Sequence, residues 1–144
     1  TRDILPKLGH YKPASIQCSF LPPLTGMDGK MGSSEGAAIY LTDNSKEVEH
    51  KIKKYAFSGG KDTLEEHRRH GGNPDIDISF QYLKYMFEPD DKKLRDIYNA
   101  YKSGEMTSGE LKQITIDKIN AFLKEHQKKR NAAKSKVESF LYKR

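Results

Sequence analysis

The chain has 144 residues, 35% of them hydrophobic and 32% charged, the balance of one globular domain plus an edge of another rather than of a disordered or membrane-embedded chain. No run approaches a membrane span or has the form of a secretory leader, and the single cysteine, Cys18, excludes an internal disulfide framework and suits a reducing, cytoplasmic compartment. The formal net charge is +6, and the whole excess lies in residues 124–144, where eight basic residues face only Glu125 and Glu138.

The chain opens at Thr1, Arg2 and Asp3, which reads as the middle of a helix-to-strand connection in a longer protein. Residues 15–21 are an extended apolar run bounded by Pro13 and by Pro22 and Pro23, the pattern of a β-strand with a proline stop. Gly26, Gly29, Gly32 and Gly36 then deny both helix and strand to residues 25–38, which predicts a mobile loop. Inside it stand Lys30, Met31, Ser33 and Ser34. A lone lysine with flanking hydroxyls and free backbone N–H groups is what a protein offers to a polyphosphate. A solvated surface loop has the same composition.

From Asp43 the texture is helical. Val48, Ile52 and Tyr55 recur at i, i+4 and i+7, and Ser58, Gly59 and Gly60 end that helix. Thr63 and Glu66 form a capping box for a short charged helix that stops at Gly71 and Gly72. Asp77 caps a third helix over 78–87, before Pro89. Leu94, Ile97, Tyr98 and Tyr101 mark a fourth, closed by Gly104. Thr107 and Glu110 form a second capping box. It opens a long helix to the chain end, with Leu111, Ile114, Ile119, Phe122, Leu123, His126, Ala133, Val137 and Phe140 on or near one face. Its basic end is either a polyanion-facing surface or a solvated, frayed helix end. His67 and His70 share one helix but have no third ligand, so no metal site is expected.

The loop resembles the Lys-Met-Ser-Lys-Ser signature of class I aminoacyl-tRNA synthetases. The segments around it extend the likeness: residues 20–26, 39–43, 56–68 and 71–83, in this order, are similar to the C-terminal part of the eukaryotic- and archaeal-type tryptophanyl-tRNA synthetases. The run Ala56, Phe57, Ser58, Gly59, Gly60 separates that branch from its tyrosyl sister. Lys30, Met31 and Ser34 keep the signature. Gly32 replaces its first serine, so a hydroxyl role at position 32 does not carry over.

The resemblance implies a mainly α fold: a C-terminal helical, anticodon-binding bundle (residues 44–144), preceded in residues 1–43 by the last strand and signature loop of a Rossmann-type catalytic domain. It implies a parent tryptophan--tRNA ligase that activates tryptophan with ATP and Mg²⁺ and passes it to tRNA(Trp). Lys30 then stabilises the departing pyrophosphate as the catalytic residue, with Met31, Ser33 and Ser34 completing the ATP contacts. Asp62, Lys61 and Lys112 resemble the family's anticodon contacts; a carboxylate can accept from the N4 amine of cytosine, and the tryptophan anticodon is CCA. On its own chemistry Asp62 is also a possible helix cap and Lys112 a possible solvated lysine. The subclass forms homodimers, and the stretch alone is expected to be inactive and to bind no cofactor tightly. The competing reading is a non-catalytic basic helical module for RNA or protein, which explains the tail and the bundle but not the Lys30 loop.

Overall fold

A computed structural model describes residues 1–16, 18, 20–29, 31–32 and 37–140, the side chain of Glu138 excepted. Among these, all regular structure is helical. A 3-10 turn spans Leu5–Leu8, and five α-helices follow: α1 Ser45–Tyr55, α2 Leu64–His70, α3 Ile78–Tyr82, α4 Asp91–Ser103 and α5 Ser108–Ala133.

Each α-helix begins where a short polar side chain takes up orphan backbone N–H groups. Asn44 and Glu47 form a reciprocal capping box for α1, and Thr107 and Glu110 one for α5. Thr63, Asp77 and Asp90 cap α2, α3 and α4. The apolar faces meet in two clusters. One joins α1, α3 and α5 through Val48, Ile52, Ile78, Ile116 and Ile119, with Leu24 from the chain before α1. The other joins α3, α4 and α5 through Phe80, Tyr101 and Leu111, with Leu83 between α3 and α4. α5 serves both, so it is the spine of the bundle.

Three expectations are corrected. The largest concerns fold class: the described residues contain no strand, and so no last strand of a Rossmann-type domain over 15–21. Ile16 and Phe20 are 93% and 94% exposed. An extended run has strand propensity, but a strand exists only where a neighbour completes its ladder, and none of the described residues does so. Second, the helix over 78–87 is α only to Tyr82. Leu83–Phe87 widens into a π turn, closed by the Glu88 N–H on the Leu83 carbonyl at 2.9 Å. That turn sets Phe87 against both clusters. Third, α5 stops at Ala133 and passes into a 3-10 turn, Lys134–Phe140. Val137 and Phe140 are exposed there rather than part of a buried face.

The π turn also delivers Glu88 to α5. Its carboxylate lies 2.8 Å from Lys118 Nζ and accepts the Asp90 N–H at 3.1 Å, with only 4% of the side chain exposed. The Lys118 ammonium, and next the Asp90 N–H, hold its carboxyl below the ordinary 4.5 against the opposing effect of burial. A carboxyl depressed in the folded state adds stability above its unfolded value, and that stability is lost as pH falls through the lower folded value. Glu88→Gln is therefore expected to flatten the loss of stability below about pH 4.5. Urea unfolding at a series of pH values checks this; an unchanged acid slope would show that the pair is idle.

Candidate functional site

Residues 57–62 cross the end of the bundle between α1 and α2, and their backbone is held at two points, Phe57 and Gly59. The Phe57 N–H donates to the Leu24 carbonyl at 2.8 Å, and the Phe57 carbonyl accepts the Ile78 N–H at 3.1 Å. The Gly59 carbonyl accepts the Asn73 N–H at 2.7 Å. The Gly59 N–H donates to Asp77 Oδ2 at 2.9 Å.

Asp77 is the centre of this arrangement and is 1% exposed. Its Oδ1 caps α3, accepting from the Ser79 and Phe80 N–H groups at 2.9 and 3.3 Å. Its Oδ2 takes the Gly59 N–H and the Tyr101 hydroxyl, the latter at 2.8 Å. Tyr101 Oη also pairs with Ser108 Oγ, 2.9 Å away on the first residue of α5. Burial pushes the Asp77 carboxyl above the ordinary 3.8, and the Gly59, Tyr101, Phe80 and Ser79 hydrogen bonds pull it back. Burial, reinforced by the Asp77 charge, pushes the Tyr101 phenol well above its ordinary range.

The glycines of the loop are required by space. A Cβ at Gly59 would stand 2.0 Å from the Asn73 carbonyl oxygen. A Cβ at Gly60 would stand 2.3 Å from Ser108 Oγ and 3.1 Å from His67 Nδ1. The loop thus lies directly on the first turn of α5. His67 is buried, its Nε2 2.9 Å from the Met106 carbonyl, which it meets as donor; the ring is 5.2 Å from that of Tyr101. It is structural, and it helps seat the loop.

Lys61 and Asp62 are exposed on this pinned loop. Thr63, not Asp62, caps α2. Lys112 stands one turn beyond Ser108 on α5, half-buried, with Nζ 3.5 Å from the Lys53 carbonyl near the end of α1. Burial pushes its ammonium below the ordinary 10.5, and the negative charge of Asp77 opposes that. The loop carrying Lys61 and Asp62 and the helix turn carrying Lys112 are therefore brought to one end of the bundle, where Lys54 adds exposed positive charge and Lys53 pairs with Glu49 at 2.5 Å. Such a surface, with donors and an acceptor on a fixed backbone, can take a phosphate chain and a base edge together.

Lys30, Ser33 and Ser34 lie outside the described residues. Met31 is described, and with Tyr40, Tyr82, Met86, Phe87 and Phe122 it lines an apolar cavity of about 180 Å³. Phe122 is ten residues past Lys112 on α5, about 15 Å along the helix axis. The structure does not bring Met31 to the 58–62 loop. Further along α5, Lys129 pairs with Glu125 at 2.5 Å, while Lys128 and Arg130, and Lys134 and Lys136 on the 3-10 turn that follows, are exposed.

Sequence reading missed Asp77, Tyr101 and Ser108 as parts of this site. Asp77 reads as a helix cap and Tyr101 as core, which both also are. The available signal was the glycine pair before Lys61: two adjacent glycines mark a close backbone approach as readily as a helix stop.

The family of class I tRNA synthetases (W and Y) matches residues 1–124. The chain is 58% identical over 142 residues to the tryptophan--tRNA ligase of Sulfolobus acidocaldarius and 59% identical to that of Sulfurisphaera tokodaii. In each case the match covers 98% of this chain but 37% of the relative, so the chain spans little more than a third of their length. The solved tryptophanyl-tRNA synthetase from Giardia lamblia superposes with a TM-score of 0.84 at 41% identity, over 99% of this chain and 36% of that one. The enzyme from Aeropyrum pernix also gives 0.84, at 34% identity, over 93% of this chain and 37% of that one.

Proposed function

The chain belongs to the class I tRNA synthetases (W and Y), and we propose that it is the phosphate-clamping and anticodon-binding portion of a cytoplasmic tryptophan--tRNA ligase. Residues 1–43 carry the ATP loop in this reading, and residues 44–144 form the anticodon-binding domain. The parent enzyme joins tryptophan to tRNA(Trp) through an adenylate, with ATP entering as its magnesium complex, and works as a homodimer.

In the first step the tryptophan carboxylate attacks the α-phosphorus of ATP, the bond to the β-phosphate oxygen breaks, and negative charge grows on the pyrophosphate. The Lys30 ammonium meets that charge, and Ser33 and Ser34 donate hydroxyl hydrogen bonds to phosphate oxygens, with Met31 beside them. In the second role Asp62 accepts from a cytosine N4 amine of the CCA anticodon. Lys61 and Lys112 neutralise the phosphates that carry that base, and the exposed basic run from Lys128 to Lys136 extends the track.

The observation that carries the reading is the seating of the 58–62 loop on the first turn of α5. Base choice needs an acceptor fixed in place, and the loop that carries Asp62 is anchored at Gly59 by Asp77 and Asn73 and at Phe57 by Leu24. No helix among the described residues is long and apolar enough to cross a membrane.

The test is a titration of this chain with tRNA(Trp) and with a variant bearing an altered anticodon. Binding should be weak and should fall steeply with salt. Asp62→Ala is expected to cost about 1–3 kcal/mol of discrimination at one cytosine. Lys112→Ala should weaken both ligands and lessen the salt dependence. Wild-type anticodon response in both variants would sink the assignment and favour the non-catalytic RNA- or protein-binding module.

A further inference from the structure

We propose that Asp77 is a positioning residue for anticodon discrimination: it acts through the Gly59 backbone N–H, which fixes the loop that presents Asp62 to the base. The inference rests on the reading of Asp62 given above and adds the group that makes it selective.

The geometry separates two jobs of one carboxylate. Oδ1 faces the Ser79 and Phe80 N–H groups of α3, and Oδ2 faces the Gly59 N–H and the Tyr101 hydroxyl. Two donors on each oxygen fill both of its lone-pair directions, so the side chain binds all four as the carboxylate. Capping alone requires only Oδ1. The second oxygen does something a cap does not: it reaches eighteen residues back along the chain and holds the loop.

The loop needs this because Lys61 and Asp62 themselves have no hydrogen-bond partner among the described residues. Their placement comes from Gly59 and Gly60, which lie too close to Asn73 and Ser108 to carry side chains. A buried acceptor is stronger than a solvated one, because water does not compete for its donors. Tyr101 carries the same tether to Ser108 on α5, so loop and helix are fixed to one point.

Asp77→Asn tests this cleanly. Asparagine caps as well as aspartate, but its NH₂ would face the Gly59 N–H, donor against donor. Asp77→Ser, a second variant, keeps a cap and lacks the second oxygen. Each is titrated with an anticodon stem-loop bearing CCA and with one whose cytosine is changed, beside wild type and Asp62→Ala. The expected result for both Asp77 variants is a loss of about tenfold in the ratio of the two affinities, the scale of one misplaced base contact. The weaker, non-cognate affinity should hold, which a merely unstable variant would not show. A folded Asp77 variant with the wild-type ratio overturns the proposal if Asp62→Ala loses its ratio. If Asp62→Ala also keeps it, the base-reading assignment itself has failed. Amide hydrogen exchange on the wild-type chain needs no variant: the Gly59 N–H should be protected where those of Lys61 and Asp62 are not. Exchange at Gly59 as fast as at its neighbours overturns the proposal.

Discussion

Replacing Lys30 with alanine in the full-length synthetase is expected to slow tryptophan activation by roughly a hundredfold to a thousandfold, the scale for losing one preorganised charge-stabilising group. The reason lies in where the charge appears. Ground-state ATP already carries negative charge, but the charge on the departing pyrophosphate grows during bond breaking. An ammonium aimed at those oxygens therefore binds the transition state better than the substrate, and its loss falls on the rate. The Michaelis constant for ATP should change far less. Binding of tRNA should be nearly unaffected, since the residues proposed for it stand on the 58–62 loop and α5. Single-turnover adenylate formation and a separate tRNA titration check the two halves. An unchanged activation rate would return Lys30 to an ordinary surface loop.

The helices were legible because their signals are local. The box of Thr107 and Glu110, the glycine after α4 and the apolar spacing of Val48 and Ile52 each sit within one or two turns of the element they define. The strand over 15–21 was misread for the opposite reason. Its apolar residues state a propensity, but a ladder is a property of two segments, and Ile16 and Phe20 lie exposed. The π turn was invisible at the level of periodicity, because residues 83–87 keep helical texture while the backbone bonding slips from i−4 to i−5. In the site, Lys61, Asp62 and Lys112 could be picked out as exposed charges. Their support could not, since Gly59, Asp77, Tyr101 and Ser108 are spread over fifty positions and meet only when α3, α4 and α5 pack.

Tyr101 is where that support and the core coincide, so two substitutions there should separate them. The residue is 0% exposed. Its ring packs with Phe80, Leu83 and Leu111 and lies against His67. Its backbone carbonyl accepts the Gly72 and Gly104 N–H groups at 2.9 and 3.2 Å, so the chain folds tightly around it. Removing the ring as Tyr101→Ala leaves a cavity that tightly spaced backbone cannot fill, and the expected loss is about 3–5 kcal/mol, a large part of the 5–15 kcal/mol typical of a domain. Tyr101→Phe keeps the ring and removes only the hydroxyl. Asp77 Oδ2 retains the Gly59 N–H, and Ser108 Oγ is left without its partner. That loss should be about 0.5–1.5 kcal/mol. Urea denaturation of the two variants beside wild type measures both. If Tyr101→Phe proved as damaging as Tyr101→Ala, the hydroxyl network rather than ring packing would hold this end of the bundle. If both were mild, the bundle would be held mainly by the other cluster, in which Ile52 and Ile119 join α1 to α5, and the loop over α5 would owe little to Tyr101.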